Sequence, residues 1–274
     1  MLEPTLLALG AAVLHAGWNL SVKQGGDRFV ALWGQFALAG IGCGLILLVI
    51  GGLPWRAALF ALASATVHIP YCWFLARAYD HGEFSLVYPI ARGGGAAIAA
   101  IGGIVFLGDR FRPLGIVALG VIVLGLLLLS GRSKWVDVES AIAVAMTIGV
   151  YSVIDAHASR TTSAERYGLA LFTGTLFTIT TFGLATGRGA AMKAGITANW
   201  RRYSLAGLAT ASTYMLVLVA YRFAPVGYVN ALRESSVLIV AVVGWRVLNE
   251  RAGRRRLIAA STVVGGLVLL IVGH

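Results

Sequence analysis

FSLVYPIARGGGAAIAAIGGIVFLGDRFRPLGIVALGVIVLGLLLLS, residues 84–130, is the stretch that decides the fold. Two long apolar runs are separated by a short charged link, Gly108 to Pro113. Each run is close to the roughly 20 residues that a helix needs to cross a hydrocarbon core. Arg92 lies about eight residues into the first run, roughly 12 Å deep at the rise of an α-helix. A guanidinium at that depth is costly unless it faces a polar interior or a partner, so Arg92 marks a functional position.

Working outward, the same pattern returns in VGYVNALRESSVLIVAVVGWRVLNERAGRRRLIAASTVVGGLVLLIV, residues 226–272, with matched positions 141 apart. Arg92 falls on Arg233, Gly103 on Gly244, Leu107 on Leu248, Arg110 on Arg251 and Gly125 on Gly266, while Asp109 falls on Glu250. Apolar matches are cheap in apolar sequence, but arginine on arginine and acid–arginine on acid–arginine are not. The chain reads as an internal duplication.

Composition agrees with a membrane setting. The chain is 58% hydrophobic with only 12% charged residues, a balance that excludes an ordinary soluble domain. The net charge of +11 is spread over short links between apolar runs. It therefore speaks for membrane orientation and against nucleic-acid binding. Cys43 and Cys72 lie inside apolar runs, with no metal spacing around them, and read as buried thiols. The first residues lack a basic stretch and a small-residue cleavage site, so no cleaved signal peptide is expected.

Ten candidate spans follow along the chain: 5–23, 29–53, 55–79, 84–107, 113–130, 138–159, 167–186, 203–223, 226–248 and 257–272. Only helices satisfy every backbone group without a sheet edge, so the expected fold is an all-α integral membrane bundle. The longest polar link is 187–202, and the mid-chain link 131–137 divides the repeats, giving 1–131 and 132–274. A duplicated unit with an odd number of crossings inserts upside down relative to its copy. Arg92 and Arg233 are then expected near a pseudo-twofold axis in the membrane plane, where inverted-repeat transporters bind substrate.

The run HAGWNLSVK from His15 to Lys23, YPIARG from Tyr88 to Gly93, and the links GDR at 108–110 and NER at 249–251 carry a resemblance. Together they resemble the drug/metabolite transporter superfamily, and within it the ten-helix EamA-type members, over nearly the whole length. The resemblance implies two inverted five-helix repeats around a central cavity lined by the first, third and fourth helices and their second-half equivalents. It also implies movement of small metabolites, often the export of amino acids. The half-length small multidrug resistance proteins carry a first-helix acid eight residues before a lysine, whereas here His15 precedes Lys23 by that interval. Coupling through a first-helix carboxylate and a taste for cationic drugs are therefore not carried over.

Several polar side chains inside spans are candidates for the site. His15, Trp18 and Asn19 share one helical face, as a cavity lining or as a helix-packing cluster. His68 and Tyr71 flank Pro70, which frees a backbone carbonyl and permits a kink. Tyr88 and Arg92 precede three consecutive glycines, which loosen the helix and admit a neighbouring backbone. In the second half Tyr151 takes the place of Trp18, and Tyr228, Asn230, Arg233 and Glu234 form a polar group. Asp155 is either a boundary carboxylate or a balance for one of the arginines. Glu234, His15 and Asp155 are the candidate coupling groups, since carboxylates and imidazoles exchange protons; the alternative for Glu234 is that it only neutralises Arg92 or Arg233.

No nucleophile–base arrangement, metal spacing or phosphate loop occurs, so neither catalysis nor a cofactor is expected. The expected function is secondary transport, with export the favoured direction, of a carboxylate- or phosphonate-bearing metabolite such as an amino acid. Arginine recognises such groups with a planar pair of donors. A multidrug exporter, or a membrane-embedded lipid-modifying enzyme or assembly factor, is the alternative. Expected partners are the small substrate, the lipid bilayer and protons, for a monomer or homodimer in the cell inner membrane. Lys and Arg are concentrated in the links after odd-numbered spans, including 201–202 and 254–256. The positive-inside rule then places both termini outside the cytoplasm. Arg92, with no acid beside it in sequence, is expected to meet the substrate, and Arg233, next to Glu234, to spend its charge within the protein.

Overall fold

In the computed structural model, residues 2–24, 26–110, 112–130, 135–234, 236 and 254–272 are described. Ser235, the remainder of the ninth span with Gly244 and Leu248, the link holding Glu250 and Arg251, and the mid-chain residues Gly131, Arg132 and Lys134 lie outside them. Every described element is a helix. In chain order they are α1 (Leu2–Lys23), α2 (Arg28–Ile50), α3 (Trp55–His81), α4 (Phe84–Leu107), α5 (Pro113–Ser130), α6 (Trp135–Thr161), α7 (Ala164–Ala185), α8 (Gly189–Ala220), α9 (Val226–Arg233) and α10 (Arg254–Val272).

Local chemistry sets the boundaries. Asp27 caps α2 by accepting from the Val30 amide at 3.0 Å, and Ser163 caps α7 by accepting from Arg166 at 3.2 Å, each satisfying an orphan donor of the first turn. Pro113 opens α5, where its missing N–H leaves no unpaired group. Gly108 ends α4 at φ 71, a left-handed turn that only glycine enters freely. The Asp109 amide then closes on the Gly103 carbonyl at 3.0 Å.

Seven of these helices are long and apolar enough to cross a membrane. Their outward faces carry bare aliphatic and aromatic side chains, with Leu48 81%, Val49 86% and Phe106 77% exposed. A surface of this kind is stable against lipid tails and not against water. The protein is an all-α, multi-pass membrane protein.

One expectation is corrected. Residues 187–202 are not an open link: a helical stretch from Gly189 meets the rest of α8 across a kink at Asn199, at φ −127 and ψ 20. Two of the stretch's four basic residues are tied down, Arg188 to Asp27 at 3.1 Å and Arg202 to the Ser21 hydroxyl at 3.0 Å.

The packing has a regularity of its own. α3 lies on α6 and α1 on α8; α3 lies on α7 and α2 on α8; α4 lies on α6 and α1 on α9; and α2 meets α7, α4 meets α9, and α5 meets α10. Exchanging α1–α5 with α6–α10 returns the same set. The α5–α10 crossing shows this at atomic scale. A Cβ on Gly125 would stand 2.8 Å from the Val263 amide nitrogen, and one on Gly266 would stand 2.9 Å from that of Ile122. The two backbones touch through glycine, as small residues allow between membrane helices.

Candidate functional site

The centre of the bundle holds a buried cavity of about 30 Å³, enough for a water molecule or two. α1 contributes His15 and Trp18, α3 contributes His68 and Tyr71, α6 Tyr151 and α9 Arg233. Sequence reasoning had named all six. It missed Phe36 from α2, Leu171, Phe172 and Thr175 from α7, and Thr210, Thr213 and Tyr214 from α8. Apolar, threonine and tyrosine side chains in an apolar span carry no local signal of this role. Among the described residues none from α4 lines this cavity, and α2 and α7 contribute to it beyond the expected helices.

The wall is a stack of rings. His68 lies parallel to Tyr151 at 4.7 Å between centroids, Tyr71 meets Tyr151 edge-on at 5.7 Å, and the His15 ring meets Trp18 edge-on at 4.7 Å. The His68 Nδ1–H donates to the Ser64 carbonyl at 2.8 Å, which fixes the ring's tautomer and tilt. Trp18 Nε1 donates to His15 Nδ1 at 3.1 Å, so the His15 proton sits on Nε2. That atom is buried with no hydrogen-bond partner among the described residues.

The two arginines differ. Arg92 Nη2 donates to Glu234 Oε1 at 2.8 Å, an ion pair from α4 to α9 with side chains 4% and 1% exposed. Arg233 instead opens on the cavity. It donates to Asn230 Oδ1 at 3.2 Å and lies 5.6 Å over the Tyr214 ring. No carboxylate within the described residues forms an ion pair with it. The ion pairing thus differs from the expected one, with the acid on Arg92. Neighbours along a helix point about 100° apart, so Glu234 turns away from Arg233 and meets Arg92 across the helix pair.

The remaining candidates are placed outside the lining. Asn19 donates to the His15 carbonyl at 2.9 Å and accepts from the Tyr79 hydroxyl at 2.7 Å, which makes it a packing residue. The Tyr88 hydroxyl bonds Ser236 at 2.8 Å, and the Tyr228 hydroxyl bonds Thr5 at 2.8 Å. Asn230 accepts from the Tyr221 hydroxyl at 2.9 Å and steadies Arg233. Asp155 balances neither arginine directly: it accepts from the hydroxyls of Tyr167 at 2.7 Å and of Tyr214. Cys43 and Cys72 are free, buried thiols.

A surplus of donors marks the core. His15 Nε2, Gln35 Nε2, Arg92 Nε and Nη1, Arg233 Nε and Asn230 Nδ2 are buried without partners among the described residues, against the acceptors Gln35 Oε1 and Glu234 Oε2 and the hydroxyls of Ser64, Ser152 and Thr213, which serve as either. Buried donors left unmatched are costly, and an acceptor-rich ligand relieves that cost. Within the described residues, no group of three His, Cys, Asp or Glu side chains is arranged to hold a metal ion.

The C-terminal ends of α1 and α6 are fastened alike. Lys23 Nζ donates to the carbonyls of Tyr79 and Gly82, both at 2.9 Å. Arg160 donates to those of Tyr221 at 3.0 Å and Ala224 at 3.3 Å, each 142 positions further along the chain. Arg160 also pairs with Asp109 at 2.8 Å, whose other oxygen accepts from the Val226 amide at 2.9 Å.

No family model matches the chain, and no curated protein matches it. Among solved structures, one described as "Crystal structure of protein" superposes with a TM-score of 0.69 at 16% identity, over 98% of this chain and 96% of that one. The fold is shared. At that identity the likeness carries no function, which has to be argued from the cavity.

Proposed function

We propose that this protein is a secondary transporter of the drug/metabolite type, built from two inverted five-helix repeats, 1–131 and 132–274, with ten spans. The exchangeable set of helix contacts and the reciprocal glycine crossing of α5 and α10 support the repeat. A site on the axis of such a repeat is reached from either side by rocking one half against the other. The substrate is a small metabolite bearing a carboxylate or phosphonate, an amino acid among the candidates, and export is the direction favoured by the resemblance.

One observation carries the substrate class: Arg233 faces a buried aromatic cavity with no carboxylate paired to it among the described residues. A guanidinium in a low-dielectric site recruits a planar anion through two parallel N–H bonds. The donor surplus around it points the same way. Hydrophobic cations, the substrates of a multidrug exporter, are opposed by that charge. The cavity as seen is far smaller than a metabolite, so the substrate enters through an opened form and the structure corresponds to a closed one.

The test is a thermal-stability screen of the purified protein with benzoate, phenylphosphonate and tetraphenylphosphonium, since a ligand that binds only the folded state raises the melting temperature. Stabilisation by the two anions and not by the cation is expected, and it should vanish in Arg233→Gln. Stabilisation by the cation alone would overturn the assignment in favour of a drug exporter.

A further inference from the structure

One buried acid takes no part in the site just described. Asp155 is 0% exposed and stands one helical turn beyond Tyr151. Its carboxylate is held by neutral groups, the hydroxyls of Tyr167 on α7 and Tyr214 on α8. Within the described residues no Lys, Arg or His lies at ion-pair distance from it. A buried carboxylate without a counter-charge is expensive, and inside a membrane protein such a group marks function.

The surroundings show where its balance comes from. α3 presents Ser64, α8 adds Tyr221 beside Tyr214, α6 itself has Tyr151, and α9 presents Arg233, which acts on Asp155 electrostatically. The cation of α4, Arg92, faces Tyr151 and is matched by Glu234. Tyr214 is the joint. Its hydroxyl holds Asp155, its ring lines the cavity, and the Arg233 guanidinium lies 5.6 Å over that ring. Arg233 is thus the cation that offsets Asp155, one side chain away.

We propose that Asp155 is a proton-binding site linked through Tyr214 to the occupancy of Arg233, so that an anion entering the cavity brings a proton with it. The inference rests on the anionic-substrate reading. With the cavity empty, Arg233 and Asp155 offset one another. An anion paired to Arg233 leaves two negative charges against one positive charge in a low-dielectric interior. A proton taken from solvent restores neutrality by forming an O–H bond on an Asp155 carboxylate oxygen; no other bond breaks, and a phenol hydroxyl turns to accept that proton. By reciprocity, protonation must strengthen anion binding as much as anion binding favours protonation. The pair then moves as an electroneutral unit.

Calorimetry of the purified full-length protein with benzoate, in two buffers of different ionisation enthalpy, reads both halves of this linkage. Wild type should take up close to one proton per benzoate, with Kd tightening by up to about tenfold per pH unit for one linked proton. Asp155→Asn, permanently neutral, should bind benzoate with no uptake and no pH dependence, although His15 and His68 remain. Uptake that persists in Asp155→Asn overturns the proposal, and so does wild-type binding with no uptake. Should that variant not fold, infrared difference spectra of wild-type protein carrying isotope-labelled aspartate decide: benzoate must produce the band of a protonated aspartic acid. Its absence sinks the proposal. Failure of benzoate to bind at all removes the anionic-substrate reading and this inference together, whereas binding without proton uptake removes only the linkage.

Discussion

Arg92 and Arg233 occupy equivalent places in a repeated sequence and have opposite surroundings. Arg92 faces Glu234 across two helices and is absent from the cavity lining. Arg233 faces the cavity and a tyrosine ring. Under the proposed duplication the two arginines start as equivalent cations, and one acid, Glu234, forms its ion pair with Arg92. Since Glu234 follows Arg233 in sequence, its effect falls on the far arginine and leaves the near one free. On the proposed repeat, equivalent side chains then have different work, Arg92 in an ion pair and Arg233 at the cavity.

The comparison breaks most sharply at Glu234. Glu234→Ala leaves Arg92 buried and unpaired and should destabilise the protein by about 3–5 kcal/mol, read as a large fall in melting temperature. The double variant Arg92→Met with Glu234→Leu should regain most of that loss, because two apolar groups replace a buried ion pair at little net cost. If Glu234→Ala melts normally, the ion pair is not what holds α4 to α9. Arg233→Gln should fold, with Asp155 taking a proton in place of the lost counter-charge, yet lose benzoate affinity by roughly 1.5–3 kcal/mol, the worth of charge-assisted hydrogen bonds. Normal affinity in that variant would return the substrate to Arg92.

Glycine positions sharpen the contrast, because there equivalence should hold. Gly125→Ala and Gly266→Ala each push a Cβ into backbone across the α5–α10 crossing and should each destabilise by about 1–3 kcal/mol. Effects that differ several-fold would deny the symmetry of the crossing. The smallest change is expected at Arg77, whose ion pair with Glu139 at 3.2 Å has side chains 47% and 36% exposed. Arg77→Ala should shift stability by less than about 1 kcal/mol.

Much of this was legible in the chain. The bounds of α4 and α5 follow from where apolar runs meet Gly108 and Pro113, and the joint placement of His15, Trp18, His68, Tyr71, Tyr151 and Arg233 follows from polar and aromatic groups at mid-span. What was hidden has specific causes. Pairing of Glu234 depends on helix azimuth and on a neighbouring helix, neither of which is local. The early turns of α8 read as a link because Lys193, Arg201 and Arg202 interrupt the apolar window, although none of them prevents a helix. Tyr214 gave no signal, since a tyrosine in a long span is as much at home against lipid as in a cavity. Asp155 was visible as a carboxylate, but its two tyrosine partners come from α7 and α8.

The matched fastenings at Lys23 and Arg160 bear on the membrane's energy. A site served from both sides is a hole whenever both sides open together. Here the end of α1 is tied to carbonyls at the end of α3, and the end of α6 to carbonyls at the end of α8, while the space between is about 30 Å³. A chain of waters long enough to pass ions or hop protons has no room in that space. In the proposed transport cycle this closed form would act as an insulator, preserving the ion gradient while neither side is open to solute.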